Sequence, residues 1–183
     1  MLTLHGYASN AAAFLARHCK EVRASTGGQL ELLAIDGPSV VNSSGGRQRG
    51  WWSFSPAFPM DRALQAQWWQ REAVEYVDAE ANLLSLVDLW RKGDYDGILG
   101  FSQGATAAAI LCASLEAQGV SPRFVILVNG FRSPLPTNAG LDSWRGLRAA
   151  SLTTPALLLC GENDVPVPPA RVDELASVFA RPS

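Results

Sequence analysis

The sequence predicts an α/β fold: a mostly parallel, twisted sheet with helices on both faces. Three observations lead there. Short apolar runs recur along the chain at Leu2 to Leu4, Leu30 to Ile35, Gly97 to Phe101, Phe124 to Val128 and Ala156 to Cys160. Stretches with helical spacing lie between them, and that alternation is the pattern of parallel strands buried under helices. The composition, 48% hydrophobic and 17% charged over 183 residues, belongs to one packed domain and not to a disordered chain.

After the first run, Ser9 or Asn10 can cap a helix carrying Phe14, Leu15, Cys19 and Val22, and Gly27-Gly28 ends it. Gly37 to about Arg71 is the least regular stretch and is expected to be a lid-like or flexible insertion. In it Ser43-Ser44-Gly45-Gly46 gives way to Arg47-Gln48-Arg49-Gly50 and then to Trp51, Trp52, Phe54 and Phe58. Four of the six tryptophans fall in Trp51-Trp52 and Trp68-Trp69, a density that fits an apolar acyl pocket or, equally, rings packing the insertion onto the sheet. From Val77 to Lys92, Leu83, Leu84, Val87 and Trp90 recur at helical spacing and Gly93 stops the helix. Ala105 to Leu115 is rich in strong helix formers and ends before Gly119 and Pro122. A last helix is expected from Ala170 to Ala180, with Val172, Leu175, Val178 and Phe179 facing inward. If no further strand follows, the Ala156 to Cys160 strand is an exposed edge.

Several function classes are excluded. Fifteen Lys and Arg against 17 Asp and Glu give a net charge of −2 with no basic stripe, so no nucleic-acid partner is expected. Three cysteines (Cys19, Cys112, Cys160) without a C-x-x-C pair argue against a disulfide framework and against zinc. They are expected as small buried hydrophobes in a reducing compartment. No signal peptide is visible, and the expected location is cytoplasmic. The uncharged run Gly97 to Leu115 is interrupted by Gly100, Ser102, Gln103 and Gly104, so it is a strand, a turn and a helix, not a membrane span.

The turn inside that run carries the chemistry. Gly100-Phe101-Ser102-Gln103-Gly104 matches G-x-S-x-G between a strand and a helix, the context that makes the motif a nucleophile elbow. The tight turn needs flanking side chains absent, which Gly100 and Gly104 provide. Ser102 would then sit exposed at the carboxyl end of the sheet, at a helix N-terminus that favours developing negative charge. An oxyanion hole needs two aimed N–H groups. The Gln103 amide is one candidate; the Tyr7 amide, in the turn after Leu4-His5-Gly6, is the second. His5 is expected to hold that loop, since it would have to leave its strand to reach Ser102. Asp164, in Gly161-Glu162-Asn163-Asp164 after the last apolar run, is the candidate acid, its alternative role being a cap on the following Pro-rich turn. Asp36 and Asp96 are weaker rivals. The base is the difficulty: enzymes with this elbow place serine, acid and histidine in that chain order, yet His5 and His18 both precede Ser102. Without a base, only the residual ~10³–10⁴-fold catalysis from oxyanion donors and binding would remain.

These blocks together resemble the FSH-type serine hydrolases, small relatives of the carboxylesterases and acyl-protein thioesterases. Leu4-His5-Gly6-Tyr7 with Asn10, Ile35-Asp36-Gly37-Pro38 and Gly50-Trp51-Trp52 look like the family's opening blocks, and Tyr95 to Ala105 is similar to its nucleophile block. Asn129-Gly130-Phe131-Arg132 resembles its S-G-F-R block, with Asn129 in place of the serine, and Gly161 to Asp164 with Val167-Pro168 its acid block. The resemblance implies a minimal α/β-hydrolase with Ser102 as nucleophile, Asp164 as acid and the Tyr7 and Gln103 amides as oxyanion hole. It implies small-molecule ester or thioester substrates with an alkyl or acyl chain and no cofactor; no metal-binding residues are expected. Trp51, Trp52 and Phe131 are expected to line the substrate pocket. The family continues past its last helix into another strand and a loop bearing the catalytic histidine, whereas this sequence stops at Arg181-Pro182-Ser183; the histidine is therefore expected beyond the residues given. The alternatives are a catalytically inactive hydrolase fold that binds an acyl ligand or a partner, and a histidine supplied by another subunit.

Overall fold

A computed structural model of the chain describes residues 1–41, 47–68, 74–132, 151–162, 164 and 166–180. Ser43-Ser44-Gly45-Gly46, Trp69, Asn163 and Arg181-Pro182-Ser183, singled out above, lie outside the described residues. In chain order the elements begin β1 (Leu2–Leu4), α1 (Ala11–Arg17), α2 (Lys20–Ser25), β2 (Leu33–Ile35), β3 (Ser39–Val40), β4 (Arg49–Gly50), β5 (Ser53–Ser55) and α3 (Arg62–Trp68). They continue with β6 (Glu75–Val77), α4 (Ala79–Lys92), β7 (Gly97–Phe101), α5 (Gln103–Glu116), β8 (Phe124–Val128), β9 (Ala156–Leu159) and α6 (Pro169–Ala176).

The five apolar runs all become strands of one sheet, ordered β2-β1-β7-β8-β9 and parallel at every pairing. A parallel sheet must be covered on both faces, and the side chains divide accordingly. Leu2, Leu4, Ile98, Val125 and Leu127 join a core with α4, α5 and α6, while Leu99, Phe101, Phe124, Ile126 and Val128 meet Phe14 and Cys19 on the opposite face. The alternation in β7 and β8 is the two-residue period of a strand. Helix α5 lies against β1, β7 and β8, and its alanines, Ala105 and Ala107 to Ala109, are wholly buried; small side chains let this helix sit close to the strands.

Several expected boundaries move, each for a physical reason. The single helix expected before Gly27 is two, α1 and α2, broken at His18 and Cys19. Five residues on a continuous helix would turn Cys19 about 140° away from Phe14, and the break returns both to one apolar cluster. Asn10, not Ser9, is the cap, its Oδ1 accepting the Ala13 N–H at 2.8 Å. The second strand starts at Leu33, not Leu30. Val77 is not helical: it ends β6, which pairs antiparallel with β5, and Asp78 turns the chain through a φ of 62° before α4. Helix α6 stops at Ala176 because the backbone beyond it bonds to Leu152 instead, through Leu152 N–H to the Val178 carbonyl (2.7 Å) and Ala180 N–H to the Leu152 carbonyl (2.9 Å). Val178 and Phe179 remain buried as expected.

Within the 37–71 insertion the described residues form β3, β4, β5 and α3. Among the described residues β9 is an edge strand, with Leu157 and Leu159 40% and 46% exposed, and no helix is long and apolar enough to cross a membrane.

Candidate active site

Ser102 sits in the turn between β7 and α5 with φ 52° and ψ −118°, a conformation that non-glycine residues adopt only where the surroundings enforce it. Its N–H donates to the Val128 carbonyl at 2.8 Å, which ties the turn to the end of β8. The flanking glycines are required by close approach. A Cβ on Gly100 would lie 2.5 Å from Ala105 Cα, and one on Gly104 would lie 2.3 Å from the Leu4 carbonyl oxygen. The G-x-S-x-G spacing thus allows α5 to start hard against the end of β1.

That contact sets the loop after β1 beside the serine. His5 is fully buried; its Nε2 accepts the Gly37 N–H at 2.8 Å, so Nδ1 carries the proton and donates to the Gly6 carbonyl at 2.7 Å. Burial lowers its pKa below 6.5, outweighing the Gly6 hydrogen bond and the charge of Asp36, and the ring is a neutral structural strut. His18 caps α1 and stacks on Phe101 at 5.1 Å, on the face opposite α5. Neither histidine lines the cleft at Ser102.

This cleft encloses about 300 Å³, including space open to solvent, and brings together Tyr7, Ser102, Gln103 and Phe131. Its wall is aromatic: Phe58 and Trp68 meet edge to face at 4.9 Å, Phe54 and Trp68 at 5.1 Å, and Tyr7 tilts onto Phe54 at 5.3 Å. Trp51 and Trp52, expected in the pocket, are not there. Both are buried beneath it, 1% and 0% exposed, because their backbone bonds to the Gln103 side chain and the Trp51 indole N–H donates to the His5 carbonyl at 2.8 Å. The pocket walls are instead Phe54, Phe58 and Trp68, and the available signal was the Ser53-Phe54-Ser55 alternation, which puts Phe54 alone on the inner face of β5.

Asp164 follows β9, two strands from Ser102 at the same carboxyl end of the sheet. Its Oδ2 accepts from Asn129 Nδ2 at 2.6 Å and its Oδ1 from the Val167 N–H at 2.8 Å, so both oxygens are fixed. Asn129 leaves β8 with φ 50° and also accepts the Gly161 N–H through Oδ1 at 3.1 Å. No local sequence signal marks its contact with Asp164, which lies 35 residues away. The loop carrying Asp164 adds Pro166 and Val167 to the cleft wall. Both rival acids are occupied elsewhere: Asp36 accepts the Ala11 N–H at the start of α1, and Asp96 pairs with Arg123 at the other end of β7. Among the described residues no cluster of His, Cys, Asp and Glu could hold a metal ion.

A parallel sheet with a serine at a strand-to-helix turn and an acid after a later strand defines an α/β hydrolase fold. The solved acyl-protein thioesterase 2 of Zea mays superposes with a TM-score of 0.55 at 19% identity, covering 99% of this chain and 80% of that one. A Paleococcus ferrophilus monoacylglycerol lipase superposes at 0.55 with 13% identity, covering 97% and 79%. The chain belongs to the serine hydrolase (FSH1) family, whose sequence profile matches residues 1–183. It is 33% identical over 199 residues to a Xenopus tropicalis protein named esterase OVCA2, covering all of this chain and 80% of the relative. It is 30% identical over 176 residues to the Homo sapiens protein of that name, covering 86% and 73%.

Proposed function

We propose that this chain is a serine esterase that cleaves carboxylic ester or thioester bonds of small alkyl or acyl substrates through an acyl-enzyme on Ser102. One observation carries the proposal: Ser102, in its strained turn, shares an aromatic cleft with Tyr7 and Gln103, the two residues whose amides are suited to an oxyanion. Ser102 Oγ attacks the carbonyl carbon as a general base removes its proton. The carbonyl oxygen takes the negative charge and receives the Tyr7 and Gln103 N–H groups. The alcohol or thiol departs with the proton, and water, activated by the same base, releases the acid. Asp164, with both oxygens fixed, orients the base. Phe54, Phe58, Trp68 and Phe131 take the acyl group, so the 37–71 insertion serves as the wall of the site. The proposal requires a histidine other than His5 and His18.

A second reading, an inactive hydrolase fold that binds an acyl ligand, is favoured by the engagement of both histidines away from the cleft. A fluorophosphonate probe on the natural full chain separates the two. The esterase reading expects rapid labelling at Ser102, lost in Ser102→Ala together with a fall in p-nitrophenyl ester turnover of about 10³-fold or more. Absence of labelling, or turnover retained by Ser102→Ala, overturns it.

A further inference from the structure

Nothing in the proposed reaction uses the buried tryptophan pair, yet three of its polar groups bond to the two segments that carry the oxyanion donors. Gln103 needs only its backbone N–H for the chemistry. Its side chain is nevertheless fully buried and grips the insertion at two points, Oε1 accepting the Trp51 N–H and Nε2 donating to the Trp52 carbonyl, both at 2.9 Å. From the same segment, the Trp51 indole N–H donates to the His5 carbonyl at 2.8 Å, two residues before Tyr7, and the indole lies 5.3 Å from the His5 ring. The Trp51 carbonyl in turn accepts from Asn82 Nδ2 at 2.9 Å, which anchors the segment to α4.

We propose that Trp51 and the Gln103 side chain form a positioning bracket that holds the Tyr7 and Gln103 amides in register with one another; the inference rests on the acyl-enzyme reading above. The two donors lie 96 positions apart in sequence and share no secondary-structure element, so their mutual aim is not set locally. Two N–H groups stabilise an oxyanion only when both point at the same oxygen, and an error of about 1 Å costs roughly 10²-fold in rate. Gly50 shows how closely the segment approaches both: a Cβ there would lie 2.9 Å from Gln103 Oε1 and 3.1 Å from Tyr7 Cδ2. A buried polar network with its members satisfied is rigid.

The test uses the natural full chain, a p-nitrophenyl ester, and a trifluoromethyl ketone whose hemiketal oxygen on Ser102 occupies the oxyanion hole. Trp51→Phe removes the indole N–H, Gln103→Met removes both side-chain bonds but keeps the amide, and Trp90→Phe removes the same indole volume from a buried site on α4. The bracket predicts that Trp51→Phe and Gln103→Met lower kcat roughly 10- to 100-fold with KM within about twofold, and weaken the ketone by the same factor as kcat/KM. Trp90→Phe is expected to leave kcat unchanged. Folded Trp51→Phe with kcat and ketone affinity within about twofold of the natural chain overturns the bracket, and it decides the matter if Gln103→Met does not fold. Ser102→Ala is measured alongside: if it still turns over the ester, the acyl-enzyme reading falls and the bracket falls with it, whereas inactive Ser102→Ala beside fully active Trp51→Phe overturns the bracket alone.

Discussion

Around Ser102, the side chains of His5, Trp51, Trp52 and Gln103 are at most 1% exposed, and those of His5, Trp51 and Gln103 hydrogen-bond to backbone groups of neighbouring segments. Around Asp164, Cys160, Gly161 and Glu162 are exposed, the strand that leads in is an edge strand among the described residues, and Asn129 joins the Asp164 carboxylate to the end of β8. Steric crowding on the serine side should therefore reach folding, while a change on the Asp164 side should leave the fold intact.

The largest effect expected is at Gly104. A Cβ there meets carbonyl oxygens of two residues, at 2.3 Å and 2.4 Å, and backbone cannot swing aside as a side chain does. Gly104→Ala should cost about 3 kcal/mol or more in urea unfolding. The matching change on the acid side, Gly161→Ala, puts its Cβ 3.6 Å from Asp164 Cβ, an ordinary contact, and should cost under about 0.5 kcal/mol. Equal losses would erase the contrast between the regions.

Next in size is Asn129→Gly. Glycine accepts the φ of 50° without strain, so the substitution removes the side-chain bonds to Asp164 and Gly161 while sparing the turn. Ester turnover should fall about tenfold, with about 1 kcal/mol of stability lost. Unchanged turnover would mean that the Val167 N–H alone suffices to hold the acid.

The same contrast governs what was legible in the sequence. The five strands and the serine turn were legible because their causes are local: continuous apolar runs, and glycines on either side of Ser102 where α5 must approach β1. The position of Asp164 at the carboxyl end of the sheet was legible from its place after a strand. The role of Trp51 and Trp52 was not, because a buried aromatic and a pocket aromatic have the same composition, and what separates them is the partner of a backbone N–H 52 residues away. Asn129 stood out as a departure from the family block, but its hold on Asp164 depends on β8 and β9 being neighbours, which is a fact of topology. The helix break at Cys19 and the strand at Tyr76 were hidden for a related reason: each is decided by tertiary partners that override helical spacing.

The smallest effects are on pH dependence, and they too differ between the regions. Below about pH 6.5 the unfolded chain protonates His5 while burial keeps the folded ring neutral, so the stability tied to this residue is complete above that pH and declines as pH falls below it. His5→Gln should remove this decline from urea midpoints measured between pH 8 and pH 5.5. Glu116, at the far end of α5, ties the serine helix to the chain entering β9: its carboxylate accepts from the N–H and Oγ of both Thr153 and Thr154, at 2.6 to 3.1 Å. Burial alone would raise its pKa, but those hydrogen bonds outweigh burial and hold it below 4.5. Its contribution is therefore complete above pH 4.5 and is lost only as pH falls further. The group is half-buried and partly screened by solvent, so Glu116→Gln should cost no more than about 1 kcal/mol at neutral pH and flatten the acid limb below pH 4.5. A variant that instead lost stability across the whole range would show that the tie works through the packing of α5 on the β9 approach and not through the carboxylate charge.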